Sequence, residues 1–260
     1  MTYDPPMSTV LVTGGTGVLG TVLTEELRRR GHEVRVLSRR AGAGTHLGDL
    51  RVGTGADAAA DGAELVVHAA SDSRRFGRTD EQQTQALLKA VRSSGTVRHL
   101  LYVSIVGVDA IPFGYYRRKL ACERLVAEGE VPWTVLRATQ FHELIAELLR
   151  RTGQLPVAPL PLDFQFQPVS AADTATRIAD LLDAPPSGRA PDMGGPEVRT
   201  LGQLAWMWRA ARGHPKRIVN LRLPGRVARG FRRGDNTCPD HADGTLPWAE
   251  FIARPEAPNP

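Results

Sequence analysis

Three glycines, at positions 14, 17 and 20, stand between an apolar run and a helical pattern, and that placement restricts the fold more than any other feature. Ser8 to Thr13 (STVLVT) is apolar and β-branched, which predicts a strand, while Thr21 to Gly31 carries Val22, Leu23 and Leu27 at helical spacing. The joining segment, Thr13-Gly-Gly-Thr-Gly-Val-Leu-Gly, must therefore turn sharply. Gly14 permits the tight turn, Gly17 lets the backbone approach a pyrophosphate, and Gly20 lets the helix lie close to the sheet. Phosphates held there sit at a helix N-terminus, where unbonded N–H groups and the helix dipole favour anions. Gly14, Thr16, Gly17, Val18 and Leu19 form the expected phosphate-binding set. The competing explanation, a glycine-rich turn with no ligand, is weakened by the strand-loop-helix context.

Further strands are expected at Glu33 to Ser38, Glu64 to Ala69, His99 to Val106 and Trp133 to Ala138, and helices at Asp80 to Ser94 and Arg117 to Glu128. Strands alternating with helices in this way predict a Rossmann-type α/β fold, a doubly wound parallel sheet with helices on both faces. Past Phe141 the pattern changes. Helical pieces at Leu144 to Arg151, Ala171 to Leu182, Leu201 to Arg212 and Val227 to Arg232 are separated by Pro/Gly-rich stretches such as Ala184-Pro-Pro-Ser-Gly. The expected organisation is a dinucleotide-binding domain over 8–152 and a smaller, mostly helical substrate-binding lobe over 153–260, with segments returning to the sheet and a frayed tail after Arg254.

Composition sets outer bounds. At 260 residues, 42% hydrophobic and 23% charged, the chain is neither disordered nor fibrous. Cys122 and Cys238 cannot build a disulfide framework, a usage that suits a reducing cytoplasm. No apolar run approaches the roughly 18 residues of a spanning helix, and the N-terminus lacks the basic-then-apolar order of a secretory signal. The expectation is a cytoplasmic protein with no membrane contact.

At the end of the second strand, where an NAD-preferring protein places Asp or Glu for the ribose hydroxyl, this chain has Ser38-Arg39-Arg40. Two guanidiniums can clamp a 2'-phosphate by charge-assisted bonds, so NADP(H) is the expected cofactor. An arginine pair on a solvated loop is the alternative.

Taken together, the glycine loop, Gly48-Asp-Leu, His68-Ala-Ala-Ser, Tyr102-Val-Ser-Ile-Val-Gly-Val and Tyr115-Tyr-Arg-Arg-Lys119 resemble the short-chain dehydrogenase/reductase superfamily. Within it the chain is similar to the atypical branch of NmrA-like and isoflavone-reductase-like NAD(P)H-binding proteins. The likeness covers residues 8 to 141 and fades beyond. It implies that Asp49 and Leu50 border the adenine, that Ala69, Ala70 and Ser71 line the ribose side, and that Ala138 to Phe141 close over the nicotinamide.

Tyr115 and Lys119 are four apart at the opening of a predicted helix, so they share a face. A free tyrosine ionises near pH 10, and a lysine ammonium and an oxidised nicotinamide nearby favour its phenolate. The resemblance further implies that Lys119 holds the nicotinamide ribose and that Ser104 orients the substrate oxygen. The catalytic set is then Ser104, Tyr115 and Lys119. Tyr116 competes for the role, but counting back from Lys119 favours Tyr115. The same residues also fit a simpler picture in which Tyr115 is an interfacial aromatic and Lys119 only binds ribose. His142 falls near the carboxyl ends of the strands, His68 reads as a satisfied core residue, and Cys122 as a buried, inert thiol. No metal-ligand spacing and no Gly-x-Ser-x-Gly elbow occur.

The leading function is an NADP(H)-dependent oxidoreductase reducing a small carbonyl or enol-type substrate by hydride transfer. A non-catalytic NADP(H)-sensing regulatory protein is the alternative, and a nucleic-acid binder is a third. The net charge of +5 bears on that third reading. Ten basic residues and no acid lie between Val198 and Gly234, Lys216 among them, so the rest of the chain is net acidic. No nucleic-acid-binding signature accompanies this block, and Trp206 and Trp208 sit in a helix whose Leu201, Leu204 and Ala205 suggest core. The expected reading of the block is a solvated face, with Arg226, Arg229 and Arg233 opposite an inward Val227 and Phe231, or a contact with acidic surface. The partner expected is a small molecule rather than nucleic acid, and monomer and homodimer both remain open.

Overall fold

The structure, a computed structural model, describes residues 7–42, 44–72, 75–155, 157–212 and 217–254. Lys216 and the tail beyond Arg254 lie outside the described residues. The chain divides into two compact units, each discontinuous in sequence. The first takes 1–104, 114–137 and 174–191, and the second takes 105–113, 138–173 and 192–260. The expected boundary at 152/153 falls inside a stretch of the second unit, and residues 174–191 return to the first.

The first unit is built on β1 (Thr9–Thr13), β2 (Glu33–Ser38), β3 (Thr45–Leu47), β4 (Leu65–His68), β5 (His99–Ile105), β6 (Trp133–Ala138) and β9 (Gly188–Arg189). These form one seven-stranded sheet in the order β3-β2-β1-β4-β5-β6-β9, with parallel register such as Val12↔Val36 and Val12↔Val67. Val10, Leu11 and Val12 are fully buried, as a central parallel strand covered on both faces requires. Helices α1 (Val18–Arg29), α2 (Ala56–Ala60), α3 (Asp80–Ser94), α4 (Gly114–Ala127) and α6 (Ala171–Asp183) cover the sheet on its two sides. On one side Leu87 and Val91 of α3 and Cys122 and Val126 of α4 share a core with Leu11, Val66 and Leu100. This is the doubly wound α/β architecture expected from the sequence.

Two ion-pair arrangements fasten the unit. Arg30, just after α1, reaches Glu26 at 2.8 Å, Asp180 at 2.8 Å and Asp183 at 2.9 Å, tying α1 to α6. Arg137 on β6 forks onto Glu123 of α4, with Nε donating to Oε1 at 2.8 Å and Nη2 to Oε2 at 2.7 Å. Both side chains of this second pair are buried.

The second unit contains α5 (His142–Gly153), α7 (Leu201–Arg212), α8 (Arg226–Arg233) and α9 (Trp248–Ala253). Two short ladders join them, β7 (Ala158–Leu160) with β11 (Ile218–Asn220) and β8 (Gln165–Phe166) with β10 (Arg199–Thr200). Ile145, Leu149, Leu160, Leu204, Trp208, Trp248 and Ile252 make its core. Trp206 departs from the core position suggested by its helix, since it is 69% exposed on the opposite side of α7 from Leu204 and Trp208. In α8 the fully buried residues are Ala228 and Gly230, with Val227 and Phe231 half-buried. Phe231 stacks on Phe164 with ring centroids 5.2 Å apart. Arg199, Arg232 and Arg233 pair with Glu197, Asp163 and Asp235, so part of the basic block is neutralised within its own unit. Among the described residues no helix is long and apolar enough to cross a membrane.

Candidate functional site

The chain runs outward in both directions from β1, to β2 and β3 on one side and to β4 and β5 on the other. Ligands of open α/β sheets bind at such a switch point, beyond the carboxyl ends of the strands. A cleft of about 260 Å³ lies there. Thr13 at the end of β1, Gly14 just after it, and Ala69, Ala70 and Ser71 after β4 line it.

The glycines explain how the backbone comes so close. Gly14 has φ +76°, and a Cβ on it would stand 2.6 Å from the Ala70 backbone nitrogen, so any other residue there is both strained and obstructed. Gly20 acts differently from expectation: its Cβ would fall 2.1 Å from the Gly14 carbonyl oxygen, so it lets α1 close onto the loop rather than onto the sheet. Gly17, the N-cap of α1, donates its N–H to the Gly14 carbonyl at 3.0 Å. A Cβ on Gly17 would meet only that carbonyl oxygen, at 3.4 Å, which leaves it open. No acid occupies the first turn of α1, so the N-terminal N–H groups of the helix face no competing negative charge there. A backbone cradle of this kind fits a pyrophosphate.

Of the remaining expected residues, Thr16, Gly17, Ser38, Arg39, Asp49 and Leu50 line the cleft. Val18 is half exposed and Leu19 is buried beneath the loop. Arg40 is exposed, with its backbone N–H on Ser38 Oγ at 3.1 Å. The cleft brings in a guanidinium that the sequence reading missed. Arg51 lines it, carried back by the turn in which Asp49 and Thr54 form an isolated bridge. Arg51 grips Asp49, with Nε donating at 3.0 Å and its own N–H at 2.9 Å. Those hydrogen bonds hold the Asp49 carboxyl below its ordinary range against the opposing effect of burial, and Arg39 adds to the lowering. Ala138 and Phe141 belong to the second unit, where they bridge to Met193 and Val169.

Ser71 joins the cleft to Tyr115. Its Oγ lies 3.0 Å from the Tyr115 hydroxyl and donates to Asp80 Oδ2 at 2.7 Å. Asp80, the first residue of α3, also accepts the Asp72 backbone N–H on Oδ1 at 2.7 Å. Burial pushes the Tyr115 phenol up to about 12, and the Asp80 charge adds to the rise. Lys119 is buried, donates from Nζ to the Val103 carbonyl at 2.8 Å, and stands 4.3 Å from the Tyr102 ring centre. Burial lowers its pKa, partly offset by Asp80. Ser104, near the end of β5, is buried with no hydrogen-bond partner for Oγ among the described residues. Asp80 was missed because nothing distinguishes it in the sequence from an ordinary acid at a helix start.

His68 is the satisfied core residue it was expected to be: Nδ1 meets Thr13 Oγ1 at 2.7 Å and Nε2 meets Thr84 Oγ1 at 3.0 Å. Burial, and then the Lys119 charge, push it down to about 3. The unfolded chain takes up a proton below about 6.5 that the folded chain refuses, so the stability contributed by neutral His68 is full above that value. It is lost as pH falls toward 3. Urea midpoints measured across this window should decline with pH, and less steeply in His68→Gln, whose amide can still bond both threonines; equal slopes would exclude the histidine as the cause. His142 is fully buried in the second unit, stacked on Trp248 and against Phe251. Cys122 is buried and its thiol is pushed up by burial, as an inert thiol is.

The NAD(P)H-binding family model matches residues 14–185. An uncharacterized protein of Mycobacterium tuberculosis is 28% identical over 215 residues, 79% of this chain but 23% of the relative, so the chain spans under a quarter of that longer protein. A chloroplastic divinyl chlorophyllide a 8-vinyl-reductase of Oryza sativa is 29% identical over 225 residues, covering 74% of this chain and 55% of the relative. Among solved structures, an NADPH-dependent quinone oxidoreductase from Escherichia coli bound to NADPH has TM-score 0.78 at 19% identity, covering 94% of this chain and 98% of that one. The triphenylmethane reductase of Citrobacter sp. has TM-score 0.77 at 16% identity, with the same coverage. A short-chain dehydrogenase/reductase superfamily protein from Agrobacterium tumefaciens, solved with NAD, has TM-score 0.71 at 20% identity, covering 94% of each chain. At these identities the solved structures bear on the fold alone.

Proposed function

Since the chain belongs to the NAD(P)H-binding family, we propose that it is an NADP(H)-dependent oxidoreductase that reduces a small carbonyl, quinone or enol-type substrate. The observation that carries the proposal is Ser71, which lines the dinucleotide cleft and hydrogen-bonds the hydroxyl of a half-buried tyrosine, so that a proton donor stands one side chain from the cleft. The reductase relative from Oryza sativa supports the same reaction class.

In this reading the Gly14 to Leu19 turn holds the pyrophosphate, and Ala69 and Ala70 leave room for the ribose. Arg39 and Arg51 present two guanidiniums to a 2'-phosphate, with Asp49 fixing the second. Bound NADPH supplies a hydride from its nicotinamide. Tyr115 gives its phenolic proton to the substrate oxygen as negative charge develops there, and Ser104 offers that oxygen a hydrogen bond. Lys119 stabilises the anion that Tyr115 leaves behind.

Cofactor choice supplies a direct test. Charge-assisted bonds of this kind are worth about 1.5–3 kcal/mol, so Arg39→Ala should weaken NADPH binding about 10- to 100-fold and leave NADH nearly unchanged. Arg40→Ala should change either cofactor much less. Calorimetric titration of both variants decides it, and equal affinity of the wild type for NADPH and NADH would sink the 2'-phosphate assignment. The sensor reading keeps one specific support: the Lys119 ammonium is already engaged by Val103 and the Tyr102 ring. It predicts tight NADPH binding with no oxidation of NADPH by any of a panel of small quinones, aldehydes and ketones.

A further inference from the structure

We propose that Asp80, acting through the Ser71 hydroxyl, is a positioning residue that keeps Tyr115 in its proton-bearing form and so sets the site toward reduction; this rests on Tyr115 being the proton donor. The hydrogen bonds permit one consistent assignment of protons. Asp80 Oδ2 can only accept, so the Ser71 proton points to it, across 2.7 Å. Ser71 Oγ then has lone pairs, and no proton, to offer Tyr115 at 3.0 Å. The phenol must be the donor in that bond, which requires it to be protonated. Ser71 could favour the phenolate only by swinging its proton away from Asp80, and that would leave a buried carboxylate short of a partner.

The surroundings fix this chain in place. Asp80 is buried at the head of α3, where the helix dipole favours its negative charge, and its other oxygen is held by the Asp72 N–H at 2.7 Å. Gly77 presses on the tyrosine ring: a Cβ there would come within 2.9 Å of Tyr115 Cδ2. Among the described residues, the titratable groups that bear on the phenol are Asp80 from α3, Tyr102 from β5, and Tyr116 and Cys122 from its own helix α4, with Lys119 one turn along that helix. The Lys119 ammonium is engaged by the Val103 carbonyl, and the Cys122 thiol is pushed up by burial and stays protonated. Asp80 is thus a charge linked to Tyr115 through the Ser71 hydroxyl. After Tyr115 has passed its proton to substrate, the phenolate faces an oxygen whose proton Asp80 retains, so reprotonation from water is favoured over accumulation of the anion.

The test needs neither substrate nor cofactor. The full chain is labelled with carbon-13 tyrosine, the Tyr115 signal is assigned by its loss in Tyr115→Phe, and its ionisation is followed by NMR as pH rises. Asp80→Asn should bring the ionisation down by about one pH unit, which raises the tyrosinate population at about pH 10 roughly tenfold. Ser71→Ala, which removes the acceptor, should also move it down. Combining the two should add little, because they act along one chain of hydrogen bonds. An Asp80→Asn protein whose Tyr115 titrates as in wild type overturns the proposal, as does a full Asp80→Asn effect in the Ser71→Ala background. Should Asp80→Asn fail to fold, Ser71→Ala decides alone, since an upward movement means that Ser71 donates to the phenolate. A Tyr115→Phe protein that still oxidised NADPH would defeat the catalytic role without altering these titrations.

Discussion

Tyr115→Phe should retain its fold and its NADPH affinity while NADPH oxidation with small quinones or carbonyls falls by about 10²- to 10⁴-fold, the usual worth of a positioned general acid. The substitution removes one oxygen and leaves the ring seated against the Gly77 backbone and Tyr116. Ser71 keeps its bond to Asp80. The loss should appear in kcat with little change in KM, since a proton passed only in the transition state contributes nothing to ground-state binding. Turnover within a factor of about two of wild type would exclude Tyr115 as the acid. Unchanged NADPH affinity alongside the lost turnover separates this outcome from general damage to the cleft.

Glu123→Leu should destabilise the chain by about 3–5 kcal/mol, the cost of leaving a buried charge without its partner. Arg137 has a side chain only 4% exposed, and both arms of its guanidinium fork reach Glu123. With the carboxylate gone, the guanidinium loses both of these charge-assisted bonds at a site between β6 and α4 that is closed to most water. The pair itself need not stabilise the fold, because desolvating two charges offsets much of their attraction. The double variant Glu123→Leu/Arg137→Met should therefore recover most of the loss. Urea unfolding of the two variants gives the comparison, and a double variant as weak as the single one would show that packing volume, not charge, is at stake. Lys119 lies one turn before Glu123 on α4, so the single variant tests in addition whether this anchor sets the helix that carries Tyr115.

The parts legible in the sequence are those that local periodicity determines. The strand at 33–38 and the helices at 80–94 and 201–212 fall where their apolar spacing places them. The helix at Ala56–Ala60 has five residues and almost no amphipathic contrast, and β9 and β10 have two residues each, so their pairing comes from tertiary contact rather than from pattern. Trp206 was readable, because it lies two positions from Leu204 and about 200° around the helix from it. In the site, the glycine loop and Arg39 were visible because each belongs to a strand end. Arg51 enters the cleft only through the turn from Asp49 to Thr54, which carries no apolar pattern. Asp80 meets Ser71 across a loop, and no spacing rule connects a residue after a strand with the first residue of the next helix. Lys119 followed its one-turn spacing from Tyr115, yet its ammonium is turned to the Val103 carbonyl, which spacing alone does not specify.

Strand β9 pairs with β6 through Thr134↔Gly188 and Val135↔Arg189, and Arg30, just after α1, finds two of its three carboxylates at Asp180 and Asp183. The intervening stretch, 138–173, belongs to the other unit. During synthesis, then, β6 leaves the ribosome with one edge bare, and the residues that cover it emerge some fifty positions later. At about 5–20 residues per second that interval lasts roughly 3–10 s, long enough for an uncovered parallel edge to meet another nascent chain. The return of α6 and β9 thus makes completion of the dinucleotide half wait on translation of its neighbour, and slow codons placed between 138 and 173 would lengthen the period of exposure.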